Sequence, residues 1–543
     1  MTKILQLWLL LFLFSTLPSM SDEIRFNQIG YLPKANKVAL VINSEETSFQ
    51  ILKGSQCVYQ GTLSPAKNWT DSGESVKLAD FSKLTRSDSY SLQVGNTKSE
   101  IFKISSNVYK DVSKASIKAL YYLRCSEELK EQHAGKWARP LGHPDTECQY
   151  HPSSGKKTGT LSSPGGWYDA GDFGKYVVPG AYAVYRLLSL YEKYPRIIKD
   201  GSLNIPQSRN GISDLLDEIK VELDWLKTMQ DDDGGVFFKL TTARFEGIIL
   251  PHQAKKKRLL IGKSTASTLD FAAVMAMASR LMKPYGRTYT KDCLERALSA
   301  YQWAEDNPRV LFKNPSDIST GEYGDNNMRD NFFLAATELL VATGEKKYLQ
   351  VINQNKLIFN QYSQSGWSSL NSNALITLTR HKNVLSKVQH MQLKQSLFKR
   401  ADQICAQINS SPARLPDISY RWGSNGDVAF QGVFLVFAFE QSQDKTYIKA
   451  AAEIADYLMG KNGVGYCFMT GFGSKPVKNI HHRQSNADKV NDPVPGLLSG
   501  GPNSGKQDRK KVQYQSSYPA KSFVDDQSSY ASNEITIYWN AEV

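Results

Sequence analysis

The chain has 543 residues, a formal net charge of +13, 41% hydrophobic residues and 22% charged residues. That composition excludes a disordered or low-complexity chain, and the length exceeds one ordinary compact domain, so two domains are expected. The basic excess is spread along the chain without a nucleic-acid motif, and its local runs at 255–258 and 509–511 read as solvated loops, so no nucleic-acid partner is expected.

At the N-terminus Lys3 precedes an apolar run over 4–17, and small residues follow at Ser19 and Ser21. A basic start, a short apolar core and a small-residue exit predict a secretory signal peptide over 1–21. The run is short for a spanning helix and no later stretch approaches one. The expected mature chain begins near Asp22, carries no membrane span, and works secreted or in a periplasm.

From 22 to 105 short, mostly alternating segments predict strands at 25–27, 37–42, 48–52, 76–79, 90–94 and 100–104. Turn residues such as Asn43-Ser44, Gly54-Ser55 and Gly95-Asn96 separate them, which suggests a small β-sandwich. From 106 to 543 the period becomes helical. Clear segments lie at 108–125, 177–191, 212–229, 265–281, 291–305, 329–343, 384–408, 427–439 and 446–459, with start signals at Ser264 and Asp292. Eleven or twelve such helices joined by long Gly-, Pro- and aromatic-rich loops fit an all-α (α/α)6 barrel of helical hairpins. The six cysteines are far apart and lack any C-x-x-C pair, so they read mostly as buried free thiols.

Two loop segments concentrate carboxylates among glycines and aromatics. The first is Gly165-Gly166-Trp167-Tyr168-Asp169-Ala170-Gly171-Asp172-Phe173-Gly174-Lys175-Tyr176, just before a predicted helix. Its aspartates are candidates for acid–base work or, equally, for helix N-caps. The second, near the C-terminus, runs from Phe523 through Asp525, Tyr530, Ser532-Asn533 and Glu534 to Trp539. Apolar neighbours would hold Glu534 protonated; the alternative is a first-turn Glu serving a helix dipole.

Together these segments resemble the family 9 glycoside hydrolases. Tyr168-Asp169-Ala170-Gly171-Asp172 matches the family's base motif, and Phe523, Asp525, Tyr530, Glu534, Thr536, Asn540 and Ala541 match its acid motif at the required spacings. The glycine-rich loop from Met469 to Lys475, followed by His481-His482-Arg483, matches a third signature. Asn27-Gln28-Ile29-Gly30-Tyr31 is similar to the start of the immunoglobulin-like module that precedes many members. The resemblance implies an immunoglobulin-like sandwich followed by an (α/α)6 barrel, and an inverting mechanism with Glu534 as general acid and Asp172 as general base. Asp169 would help hold the attacking water, Asp525 would support the site, and His481 and Arg483 would bind sugar hydroxyls. Trp422, Tyr530, Trp539 and Trp167 are candidates to stack on sugar rings.

The resemblance also implies a β-1,4-linked glucan or oligosaccharide as the partner, an endoglucanase-like hydrolase acting on it, and a monomer. An exo-acting β-glucosidase or β-glucosaminidase, or a binding protein without catalysis, remains open at this level. Departures fall at Ile480 and Gln484, where prolines are frequent, and at Cys467, Asn331 and Glu542; none removes a catalytic group. No metal is required for the chemistry. Structural zinc at Cys125, His143, Cys148 and His151 would lack a recognisable spacing, and calcium at Asp214, Asp217 and Glu218 competes with a solvated acidic helix face.

Overall fold

The computed structural model describes residues 23–355 and 362–543; the expected signal peptide lies outside them. The N-terminal module is a sandwich of two antiparallel sheets. One runs in the order Glu23–Arg25, Val38–Ile42, Glu74–Asp80, Lys67–Trp69, and the other Gln56–Thr62, Ser48–Lys53, Asp88–Val94, Thr97–Lys98, with Phe102–Ile104 also paired to Asp88–Val94. All six sequence-predicted strands form, with ends shifted by at most two residues. Three strands were not foreseen: Gln56–Thr62 is mostly exposed, and Lys67–Trp69 and Thr97–Lys98 are only three and two residues long.

Val38–Ile42 is buried at every position. Ala39 and Val41 face the sandwich core with Phe49, Ile51 and Phe102. Leu40 and Ile42 point the other way and pack with Trp69 and Val76 into the core of the helical body. A strand buried on both faces reads as an unbroken apolar run, which is what this segment shows.

Among the described residues, twelve helices build the barrel. The inner ring is Val177–Lys193, Thr265–Leu281, Met328–Thr343, Asn371–Arg380, Ser424–Ser442 and the single turn Ile537–Asn540, which closes back on Val177–Lys193. The outer layer is Lys110–Tyr122, Asp214–Thr228, Arg287–Asp306, Lys346–Gln354, Lys387–Ser410 and Lys445–Leu458. The inner helix Thr265–Leu281 is buried without a break from Thr265 to Ala278, its alanines admitting close neighbours. The outer helix Lys387–Ser410 buries one stripe, Leu393, Leu397, Ala401, Ile404 and Ile408, at three- and four-residue spacing.

The structure corrects several expectations. Asp292 does not start a helix: Arg287–Asp306 begins a turn earlier, and Asp292 instead pairs with Lys227 and Arg296. Ser264 does cap its helix, accepting from the Ser267 amide. Lys346–Gln354 and Asn371–Arg380 were missed; they are only nine and ten residues long, and the second buries several Asn, Ser and Thr side chains. A five-stranded sheet inside the helical body was missed too. Its order is Thr160–Leu161, Cys148–Tyr150, Leu259–Lys263, Phe237–Thr241, Lys175–Tyr176, and strands this short carry no readable alternation. The six cysteines are all free; five are buried and Cys57 is exposed.

The segment that resembles a module start is the joint between the two bodies. Asn27 Nδ2 donates to Asp456 Oδ1 at 2.7 Å and to the Tyr109 hydroxyl at 2.8 Å, while its Oδ1 accepts from the amides of Ile29 and Gly30. The Gln28 amide donates to the Met459 carbonyl. Asn27 is fully buried. Asn27→Ala should leave buried partners unsatisfied at a cost of about 1–3 kcal/mol, lowering the melting temperature in scanning calorimetry by several degrees while leaving the far-UV circular dichroism unchanged.

Candidate active site

The loop 165–176 is shaped by glycine. Gly165 and Gly166 have φ of 82° and 76°, and a Cβ at Gly166 would lie 2.7 Å from Trp225. Trp167 then turns inward: it is 1% exposed, its amide donates to Glu222 and its indole N–H to Glu218. It is a core anchor and not a sugar platform. Tyr168 is equally buried, with its hydroxyl 2.8 Å from His143 Nδ1. Anchored on both rings, the loop closes on itself when the Asp169 amide donates to the Gly174 carbonyl.

Both aspartates then face the cleft. Asp172 Oδ2 accepts from the Gly174 amide at 2.8 Å and the Tyr176 hydroxyl at 3.3 Å. Asp169 Oδ2 accepts from the Tyr323 hydroxyl at 2.6 Å. Neither aspartate caps a helix; the following helix, Val177–Lys193, starts at Tyr176 without a side-chain cap. Burial pushes the Asp169 carboxyl well above the usual carboxylate range; the Tyr323 hydroxyl opposes this, and the charges of Asp172 and Glu222 add to it.

The C-terminal segment reaches the same place through backbone pairing. Ala170 pairs with Thr536, His481 with Glu534 and Ser499 with Ile535, and the Ile537 amide donates to the Asp169 carbonyl at 2.8 Å. Glu534 therefore sits on extended chain. The helix Ile537–Asn540 begins three residues later, capped by the Thr536 hydroxyl, so Glu534 is not a first-turn residue. Its carboxyl is pushed well above the ordinary range, first by burial and then by the negative charges of Asp172 and Asp169; Arg483 acts in the opposite sense. A shift in that direction favours the protonated form, which a general acid needs.

His481 and Arg483 lie between the two loops. His481 Nδ1 is 2.6 Å from the Gln527 carbonyl, so that nitrogen carries the proton, and burial lowers the ring's pKa and keeps it neutral. Arg483 donates from its amide and Nη1 to the Gly171 carbonyl, at 3.0 and 2.8 Å, and from Nε to the Glu246 carbonyl. It thus grips the loop bearing Asp172.

These groups line one cleft of about 990 Å³. Trp422, 39% exposed, and Tyr530 lie with ring centres 5.4 Å apart on its wall. Trp539 reaches the cleft but is 5% exposed, wedged against Gly423 and Gly426, where a Cβ would come within 2.4 Å of the indole. It is floor, not an open platform. Asp525 does not line the cleft. It accepts from the amides of Lys478 and Asn479 and from Asn533 Nδ2, and so fixes the residue before Glu534. The sequence reading missed Tyr323, Trp367, Tyr538, Gln364 and Arg421, which also line the cleft. Gly321-Glu322-Tyr323-Gly324 and Gly366-Trp367 carried the same glycine–aromatic signal as 165–176.

The metal candidates do not fit. The thiols of Cys125 and Cys148 both turn to Asp145, which is already ion-paired to Lys175 and Arg258, and His151 turns to Asp317. Asp214, Asp217 and Glu218 are buried rather than a solvated face. Asp214 accepts from the amides of Gly201 and Leu203, Asp217 from Asn210 and Tyr285, and Glu218 pairs with Arg124. No cluster of three or more His, Cys, Asp or Glu suited to a metal occurs among the described residues.

The model of the glycosyl hydrolase family 9 matches residues 109–543, and that of the cellulase N-terminal ig-like domain matches 19–99. The xyloglucan-specific endo-beta-1,4-glucanase BoGH9A of Bacteroides ovatus is 38% identical, over 96% of this chain and 92% of that protein. Endoglucanase D of Acetivibrio thermocellus is 33% identical, over 96% and 82%. A solved structure described as Bacteroides ovatus GH9 superposes with a TM-score of 0.89 at 36% identity, over 96% and 97% of the two chains.

Gly171 is the tightest point of the site: a Cβ there would lie 2.1 Å from the His481 carbonyl oxygen, which is backbone and cannot swing away. Gly171→Ala should therefore separate the two loops. Steady-state assays should show kcat/KM falling at least tenfold, with the melting temperature changed far less than a global core defect would change it.

Proposed function

The chain belongs to glycosyl hydrolase family 9 and is an enzyme of the endoglucanase type; from that premise we propose that it is a secreted hydrolase that cuts internal β-1,4 bonds of a glucan with inversion. Glu534 protonates the departing glycosidic oxygen. Asp172 takes a proton from a water on the opposite face of the sugar, and that water attacks the anomeric carbon as the bond breaks. Inversion requires about 6.5–9.5 Å between the two carboxyl groups, room for the water.

The observation that carries this reading is the electrostatic asymmetry of one cleft. Glu534 is driven toward its protonated form by burial and by Asp172 and Asp169, while Asp172 lies under two hydrogen-bond donors. Burial and the charges of Asp172 and Glu222 push Asp169 in the same direction as Glu534, with the Tyr323 hydroxyl opposing. Opposed environments for neighbouring carboxyls divide the acid role from the base role. Trp422 with Tyr530, and Trp367 with Tyr323, give the cleft two aromatic groups, which supports binding of several sugar units and an internal cut. The similarity to a xyloglucan-specific enzyme makes xyloglucan the first substrate to try, ahead of cellulose and mixed-linkage glucan.

Product lengths from these polymers and from sized oligosaccharides will read the cutting mode. An internal cut yields mixed oligosaccharides early, whereas release of one sugar unit from the start would sink it. Proton NMR of the first product should show the α-anomer. In cells, N-terminal sequencing of exported protein should find a start near Asp22.

Glu534 gives a further prediction with a defined sign. Its folded pKa lies above its unfolded value of about 4.3, so the folded state loses stability as pH rises through and above that value. Glu534→Gln removes that cost. At pH 7 the variant should melt at the same or a higher temperature than the parent, while kcat on natural glucan falls about 10²–10⁴-fold. A variant that is both active and less stable would contradict the assignment.

A further inference from the structure

Lys239, on the strand Phe237–Thr241, is fully buried and plays no part in the chemistry described above. Among the described residues no carboxylate forms an ion pair with its ammonium. Nζ donates to Asn314 Oδ1 at 2.6 Å, the Gly321 carbonyl at 2.7 Å and Thr320 Oγ1 at 3.3 Å, three neutral acceptors on the 314–321 loop. Asn314 strengthens the same loop, its Nδ2 donating to the Thr320 carbonyl at 2.8 Å. A buried cation satisfied only by neutral groups is costly to keep, so its placement calls for a return elsewhere.

The loop it grips serves both aspartates. The Gly321 amide donates to the Tyr176 hydroxyl at 3.2 Å, and that hydroxyl donates to Asp172. Two residues on, Tyr323 adopts a φ of 46°, a conformation that a bulky side chain rarely takes. From it the Tyr323 hydroxyl reaches Asp169. The rings of Tyr176 and Tyr323 meet edge to face with centres 5.0 Å apart. Lys239 and Tyr176 are also direct partners across the ladder between Lys175–Tyr176 and Phe237–Thr241, with the ammonium 5.6 Å from the Tyr176 ring centre.

We propose that Lys239 is a positioning residue for the base side of the reaction: by pinning the 314–321 loop it sets Tyr176 and Tyr323, and through them Asp172 and Asp169. This rests on the reading of Asp172 as the base. The charged and titratable groups facing the ammonium are Asp172, Glu322 and Tyr176, and burial brings its own pKa down to about 7. Loss of its proton removes one donor from the loop, so the pin weakens on the alkaline side.

The test uses full-length enzyme with Lys239→Met and Lys239→Gln, against Tyr176→Phe, Asp172→Asn and Glu534→Gln. Two substrates are needed: natural glucan, and 2,4-dinitrophenyl β-cellobioside, whose leaving group departs without protonation. Lys239→Met should lose about tenfold to a hundredfold in kcat with KM changed less than threefold, on both substrates. Glu534→Gln should recover most of its loss on the activated substrate, which marks a defect on the acid side. In the Tyr176→Phe background, Lys239→Met should cost no more than about threefold further, because both act on one chain of contacts.

Lys239→Gln, which keeps amide donors without charge, should fall between the parent and Lys239→Met. Multiplicative losses in the double variant, recovery of Lys239→Met on the activated substrate, or parent-like kcat in both Lys239 variants would overturn the inference. If Asp172→Asn instead stays active, the base assignment itself fails, and that result is distinguishable from failure of the role given to Lys239.

Discussion

Three carboxyl groups, Asp169, Asp172 and Glu534, share one partly dehydrated cleft, and nearly everything else in the barrel answers to that fact. Like charges at close quarters in a medium of low polarity repel strongly, so the group cannot be fully ionised. Here the resolution is positional. Asp172 receives an amide and a hydroxyl, Asp169 one hydroxyl, and Glu534 is flanked by the other two carboxyls. Burial and neighbouring carboxyls push Glu534 toward its protonated form, which a glycosidase's acid needs.

Such an arrangement survives only if the segments carrying the carboxyls are held by contacts stronger than the repulsion. Backbone does most of this. The pairing of Ala170 with Thr536 and of His481 with Glu534, together with the hold of Arg483 on the Gly171 carbonyl, knits three segments far apart in sequence into one small irregular sheet. The glycines follow from it, since at Gly171 the approach of two backbones leaves no room for a side chain. The inner helix that should support Glu534 is reduced to the turn Ile537–Asn540, so the acid depends on these pairings rather than on a long helix.

The sequence pointed to Asp172 and Glu534, which the structure brings to one cleft, but not to their supports. Asp172 and Glu534 were legible because their chemistry confines them to spaced motifs. Most outer helices were legible because a half-buried helix shows a periodic apolar stripe, as Lys387–Ser410 does; the nine-residue Lys346–Gln354 was not. Asn371–Arg380 was not either: it is ten residues long, and its buried residues include Asn371, Ser372, Asn373, Thr377 and Thr379, which in sequence do not mark a core helix. Trp167 and Trp422 look alike in sequence, each beside a glycine, yet one is 1% exposed and the other 39%; the difference is set by Glu218 and Glu222, fifty residues away on an outer helix. Asp214, Asp217 and Glu218 resembled a solvated face for the same reason: their donors come from Gly201, Asn210 and Arg124, which no local pattern connects to them.

The sheet within the helical body shows why such supports escape notice and why they matter. Its strands are two to five residues long, and one of them carries Lys175 and Tyr176 directly out of the catalytic loop. Lys175 pairs with Asp145 behind the loop, and Tyr176 turns its hydroxyl to Asp172 in front of it. A two-residue strand thus fixes the base from both sides. An equivalent loop held only by side-chain packing would let the aspartates drift apart under their own repulsion. The ladder to Phe237–Thr241 prevents that drift, because sliding it by one residue would turn Tyr176 to the opposite face of the sheet. The register of a short ladder, more than any single contact, keeps the charged groups of this cleft in working order.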